Sequence, residues 1–425
     1  MNKIKVLWIT NIMLPGLAKY LGQPTPVVGG WMTGLADNLI NSNVELTVAT
    51  FGKEDFYYEN IDGINFLSLK TNKNGHYYDS SQEKKWKIAI EKFQICPDLT
   101  HIHGTELMFG LAYINAFPKN KCVVSIQGLI SVYSNYYLGG LSKKHILKNI
   151  TLRDILKFDT LFQAQYKFKK RGDQELKYFK YAKSFIGRTD WDKAHVLALN
   201  PEAKYFHCNE ILRSNFFTNP KWNIELASKN SIFLSQAAYP IKGLHKVLEA
   251  LGKVKLKYPQ IQLRIAGPDI LKSNSKLSFL KISNYGKIIK KLIRKNGLQK
   301  NVLFLGYLSE KEIIKEFLNA RIFICPSSIE NSPNSLGEAQ ILGVPSIASY
   351  VGGIPQMVKH GINGLLYQFD ETNILKMYIE ELLLNDDLCI KLSKNSIETS
   401  EARHNAKFNA NQNISIYRQL IDNNS

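Results

Sequence analysis

Short apolar runs alternate with amphipathic stretches along the whole chain. Residues 5–10, 45–51, 100–103, 121–126, 184–187 and 205–207 are short segments with apolar or β-branched residues at most or alternate positions. Each is too short for a helix and reads as a buried strand. Between the first two, residues 31–40 carry a helical period. The second half repeats the scheme, with strands predicted at 231–235, 262–266, 302–305, 321–325 and 346–349. Helices are predicted at 244–257, 286–295, 309–318 and 335–342. Tyr258-Pro259 closes the first of these, and Ser309 with Glu312 forms a capping box at the start of the third. Regular strand–helix alternation predicts an α/β fold of parallel, doubly wound sheets covered by helices.

Length changes this picture from one sheet to two. A chain of 425 residues exceeds one ordinary core. Polar residues and Pro220 interrupt the pattern at 214–223. The predicted division is 1–213, 214–400, and a C-terminal helix and tail at 401–425 that packs back toward the N-terminal domain. Two such domains in tandem place a ligand where the carboxyl ends of the strands lie. The apolar start at 4–10 is broken by Asn11 and Pro15 and reads as a first strand, not a secretion signal. No stretch reaches the length and apolarity of a membrane span. Five scattered cysteines without a C-x-x-C pair suit reduced, buried thiols and a cytoplasmic setting. The formal charge of +19 is spread over both halves and points to an anionic partner.

The segment Ser327-Ser328-Ile329-Glu330-Asn331-Ser332-Pro333-Asn334-Ser335-Leu336-Gly337-Glu338 holds the most specific chemistry. A strand, a loop and a helix start follow one another. Free amides and the dipole at such a start suit a phosphate. Glu330 and Glu338 can accept hydrogen bonds from sugar hydroxyls; by spacing alone they could equally be surface groups on a capped helix. Upstream, Lys242-Gly243 begins a helix after a strand, as an anion-binding lysine or as a solvated one. Downstream, Gly352-Gly353 permits close backbone approach to a ligand.

Together these segments resemble the family-four retaining glycosyltransferases of the GT-B fold, two Rossmann-like domains facing a central cleft. Glu330 and Glu338 match the E-x7-E motif, Lys242-Gly243 the lysine–glycine pair, and Gly306-Tyr307-Leu308 the base-contacting loop. The resemblance implies that Glu338 holds the ribose and Glu330 contacts the transferred sugar. It places the amides of Asn334, Ser335 and Leu336 along sugar and diphosphate. The arginine that usually precedes the lysine is missing, since Gln236 and Ala237 stand there. Arg213 and Arg188, each after a strand, are the candidate replacements; a structural ion pair is the alternative for either. On the acceptor side the resemblance singles out Gly29, Gly30, Glu106, Gln127 and His103. His101 and His103 share a strand face, but no third metal ligand has useful spacing.

The resemblance thus implies a hexosyl transfer from a nucleotide-diphosphate sugar to a glycan or lipid-linked acceptor in surface polysaccharide assembly, such as capsule or lipopolysaccharide. No metal cofactor is expected, because Lys242 and helix amides supply the positive charge. A sugar-nucleotide epimerase of the same fold is one rival. A basic nucleic-acid-binding protein is another, although no nucleic-acid-binding module is recognisable. Residues 141–183 carry twelve basic and four acidic groups among many apolar ones. They read either as a peripheral anchor for an anionic membrane surface, within the acceptor domain, or as a core helix with a lysine-rich solvent face.

Overall fold

The computed structural model describes residues 3–24, 29–52, 57–70, 75–271 and 281–422. It divides into two units: Met1–Val132 with Lys169–Ser214 and His404–Ser425, and Tyr133–Phe168 with Asn215–Arg403.

The first unit is built on eight strands: β1 (Ile4–Ile9), β2 (Val44–Gly52), β3 (Tyr57–Ile61), β4 (Ile64–Lys70), β5 (Leu99–His103), β6 (Cys122–Ser125), β7 (Ser184–Gly187) and β8 (Lys204–His207). Their order is β3-β4-β2-β1-β5-β6-β7-β8, and every pairing is parallel except β3 with β4. Alternation along β1 sorts its side chains between two cores. Leu7 and Ile9 join Trp86, Leu111 and Tyr178 on one face, while Val6 and Trp8 join Met32, Leu35 and Tyr417 on the other. Tyr417 comes from the helix Ala406–Asp422, which therefore packs on this sheet. The β3–β4 hairpin was not predicted. Its turn is Asp62-Gly63, both in positive φ (51° and 83°), as a two-residue hairpin turn requires.

The second unit carries β9 (Ser228–Leu234), β10 (Gln262–Ala266), β11 (Val302–Gly306), β12 (Ala320–Cys325), β13 (Ser346–Ser349) and β14 (Leu365–Tyr367). The order β11-β10-β9-β12-β13-β14 is parallel throughout, so all carboxyl ends lie on one edge. Fully apolar stretches such as Ile322–Ile324 suit strands covered on both faces. The predicted helix 309–318 is Glu310–Asn319, with its Ser309–Glu312 capping box formed.

Two sequence expectations change here. Residues 133–168 pack with the second unit, not with the acceptor domain. Asn284 Nδ2 donates to Ile146 O, Lys287 Nζ to Ile150 O, and Thr151 Oγ1 to Ile282 O. The helix Leu161–Tyr181 then carries the chain back into the first unit. There it is a core helix: Tyr178 and Phe179 are buried and Glu175 is 0% exposed, while Lys169 and Lys170 face solvent. Of the cysteines, Cys208, Cys325 and Cys389 are buried, but Cys96 is exposed because it lies beyond the end of the helix Ser81–Lys92.

Candidate active site

The site in the second unit is assembled where β9, β11, β12 and β13 end. After β9 the chain makes a 3₁₀ turn, Pro240–Lys242, and Gly243 takes positive φ (68°) to start the helix Leu244–Val254. A Cβ on Gly243 would lie 1.7 Å from Pro326 O, so only glycine allows this turn to meet the end of β12. The two loops are joined directly, with Ser328 N donating to Ile241 O at 2.7 Å. On the other flank Gly352 (φ 51°) would place a Cβ 1.9 Å from Glu330 O, and Gly353 N donates to that oxygen at 3.0 Å. Backbone contacts on both sides thus fix the Glu330 loop.

Held this way, the Lys242 ammonium lies 2.5 Å from Glu330 Oε1, which also accepts from Ser327 Oγ at 2.8 Å. Both side chains are largely buried, at 18% and 11% exposure. Burial pulls the Lys242 pKa down, but the neighbouring Glu330 carboxylate outweighs it and the value stands above that of ordinary lysine. Lys242 therefore holds a fixed positive charge. Oε1 is occupied by Lys242 and Ser327, which leaves Oε2 of Glu330 to accept from a ligand hydroxyl.

The helix Asn334–Leu342 then begins after Pro333, which has no side-chain donor or acceptor to cap it. The amides of Leu336 and Gly337 point back to Pro333 O. Those of Asn334 and Ser335 precede them in the first turn, at the positive end of the helix. Glu338 lies on the same helix and is 8% exposed. Gly306, at φ 77°, ends edge strand β11, followed by Tyr307, 78% exposed, and half-buried Leu308. Lys242, Gly243, Glu330 and the helix start are thus brought into one cluster, and Gly306–Leu308 lies along the same sheet edge.

The first unit has its own pocket at the ends of β5–β8, lined by Trp31, His103, Gln127, Arg188, Asn209 and Glu210 among others. His103 is 3% exposed, set between the Trp8 and Trp31 rings, and neither ring nitrogen has a hydrogen-bond partner among the described residues. Burial, with His101 beside it, lowers its pKa well below the ordinary value and keeps the imidazole neutral. His101 is engaged on both sides, by Tyr417 Oη (2.7 Å) and Ser125 Oγ (2.6 Å). Arg188 forms a 2.6 Å ion pair with Glu210 and donates to Ile126 O and Gln127 O. An ion pair is one of the two roles the sequence leaves open to it, and this geometry contains one. Arg213 lies in the same unit, its stem filling the space a Cβ on Gly30 would need. Gly29 caps the helix Gly30–Ile40 in positive φ, while its neighbour Val28 lies outside the described residues.

The family of Glycosyl transferases group 1 matches residues 217–399, which hold Lys242, Gly243, Gly306–Leu308, Glu330 and Glu338 but neither Arg188 nor Arg213. These residues are similar to the group 1 glycosyl transferases. An uncharacterized glycosyltransferase of Methanocaldococcus jannaschii is 22% identical over 355 residues, 80% of this chain and 82% of the relative. The amylovoran biosynthesis glycosyltransferase AmsK of Erwinia amylovora is 26% identical over 189 residues, 42% of this chain and 45% of AmsK. Among solved structures, the sucrose-phosphate synthase of Thermosynechococcus elongatus matches at TM-score 0.71 and 17% identity, over 98% of this chain and 99% of that one. Anabaena HepE, in complex with UDP and glucose, matches at TM-score 0.66 and 14% identity, over 98% of this chain and 100% of that one. These likenesses establish the GT-B fold.

Two site features were missed from sequence. Ser327 shares Oε1 of Glu330 with Lys242. Arg403, the last residue of the helix Asp386–Arg403, donates to Ser332 Oγ at 3.3 Å from beneath the glutamate loop. Nothing in the sequence signals a contact across that separation.

Glu106 in the first unit yields a pH prediction. Its Oε2 is buried without a hydrogen-bond partner, and a Cβ on Gly104 would lie 2.1 Å from it. Burial, reinforced by nearby Glu175 and only partly offset by Arg171 and Arg188, pushes its pKa up to about 7. The folded chain then holds this proton where the unfolded chain has lost it, so the contribution of Glu106 to stability falls as pH rises from about 4.5 to 7. Glu106→Gln is expected to gain on the order of 1–2 kcal/mol over wild type at pH 8, and little at pH 5. Denaturant unfolding at the two pH values checks this; an equal difference at both contradicts it.

Proposed function

We propose that the protein is a retaining, metal-independent hexosyltransferase. It moves the sugar of a nucleoside diphosphate sugar to a glycan or lipid-linked acceptor in surface polysaccharide assembly. The observation that carries this reading is the largely buried Lys242–Glu330 pair, whose glutamate lies in the loop that leads into the helix Asn334–Leu342. Breaking the anomeric bond puts negative charge on the departing diphosphate. Lys242 and the amides of Asn334 and Ser335 would face that charge, whereas the Leu336 amide, singled out from sequence, is engaged by Pro333 O. Glu330 Oε2 orients the sugar through a hydroxyl, Glu338 receives the ribose hydroxyls, and Tyr307 with Leu308 offers a surface for the base. His103 and Gln127 line the acceptor pocket, where the neutral imidazole can accept a hydrogen bond from an acceptor hydroxyl. AmsK, named for amylovoran biosynthesis, and HepE, bound to UDP and glucose, support the polysaccharide setting and the nucleotide donor.

Acceptor-dependent release of nucleoside diphosphate from a panel of nucleotide sugars tests the reaction class. Release is expected to persist in EDTA, with the product keeping the donor's anomeric configuration. Complete loss in EDTA restored by magnesium, or an inverted product, would contradict it.

A further inference from the structure

An unusual run of exposed apolar side chains lies in the second unit. Leu147, Leu152, Ile155, Leu156 and Phe158 are between 58% and 71% exposed and fall within residues 147–158. Single exposed leucines are ordinary, but five in one short segment form a patch that water penalises. The segment consists of two short helices, Lys143–Leu147 and Leu152–Leu156, capped by Ser142 and Thr151. Their inward positions are already occupied. Ile146 and Asp154 are 0% exposed, Asp154 closes a capping box with Thr151, and Thr151 Oγ1 donates to Ile282 O. Rolling the second helix to bury Leu152, Ile155 and Leu156 would break those bonds, so the apolar face is held outward.

The exposed charged residues within 143–158 are all lysines, namely Lys143, Lys144, Lys148 and Lys157. The acidic groups nearby are buried Asp154 and half-buried Asp159, both paired with Arg153. An outward apolar face ringed by lysines matches the boundary between acyl chains and anionic headgroups. Among the described residues no helix is long and apolar enough to cross a membrane, and five-residue helices can only lie at its surface. We propose that residues 143–158 dock this protein on an anionic phospholipid bilayer. The site is thus the double turn of the second unit and not the helix Leu161–Tyr181, whose inward face is committed to the core.

Flotation of the full chain with vesicles tests this. Binding is expected to vesicles of phosphatidylcholine mixed with phosphatidylglycerol, to weaken several-fold as salt rises, and to be weak on phosphatidylcholine alone. The variant Leu152→Ser/Ile155→Ser/Leu156→Ser/Phe158→Ser should lose more than about tenfold in binding while its melting temperature holds, because these side chains are already in water. Lys143→Gln/Lys144→Gln/Lys148→Gln/Lys157→Gln should lose about tenfold or more, and Lys169→Gln/Lys170→Gln less than about twofold. Absence of binding to the anionic vesicles at low salt, or wild-type binding by the serine variant, would overturn the proposal. So would light scattering that shows a wild-type dimer which the serine variant converts to monomer, since the patch would then serve a second copy of the chain.

Discussion

Lys242→Met is expected to lower kcat/KM by about 10²–10³, the usual loss when one fixed group facing developing negative charge is removed. It should also cost stability. Sequence alone places Lys242 and Glu338 near the surface of an open cleft, with little effect on folding. In the structure Lys242 and its partner Glu330 are largely buried, and removing the ammonium leaves Glu330 Oε1 with Ser327 alone. A loss of about 2 kcal/mol is expected, below the range for fully buried pairs because both groups keep some contact with solvent. Adding Glu330→Gln should recover most of that stability and none of the activity, so a double-mutant cycle separates the two roles. Additive stability losses would show that the pair is not coupled.

Glu338→Ala is expected to raise KM for the nucleotide sugar about 10–100-fold, as when a carboxylate's hydrogen bonds to a ligand are lost. The change should fall mainly on KM, because ribose hydroxyls are bound alike in ground and transition states. Steady-state kinetics with the preferred donor decides this. A large fall in kcat at unchanged KM would move Glu338 from donor binding into the chemistry.

The second unit was largely readable because its signals are local. Strand β13 is predicted at its observed bounds, the Ser309–Glu312 box forms, and the strand–loop–helix order around Glu330 follows from residues close in sequence. What escaped depends on partners far apart. Lys242 and Glu330 can be suspected one by one, but their direct ion pair cannot, and neither can the support of Ser332 by Arg403. Residues 133–168 were assigned to the first domain because they follow it in the chain. Tertiary contacts at 282–287 place them in the second. Arg188 looked equally able to bind phosphate until Glu210 was found beside it, an alternative that sequence could name but not choose. The Asp62-Gly63 hairpin is a different case: its dipeptide is a strong turn signal, obscured by the polar residues of edge strand β3.

Titration calorimetry of UDP, GDP and ADP in EDTA, with wild type and Lys242→Met side by side, tests the central claim most directly. The account predicts that at least one nucleoside diphosphate binds wild type without a divalent ion. It also predicts that its affinity falls at least about tenfold in the variant, the loss of a charge-assisted contact worth about 1.5 kcal/mol or more. Equal affinity in the two proteins, or binding only when magnesium is restored, would contradict it.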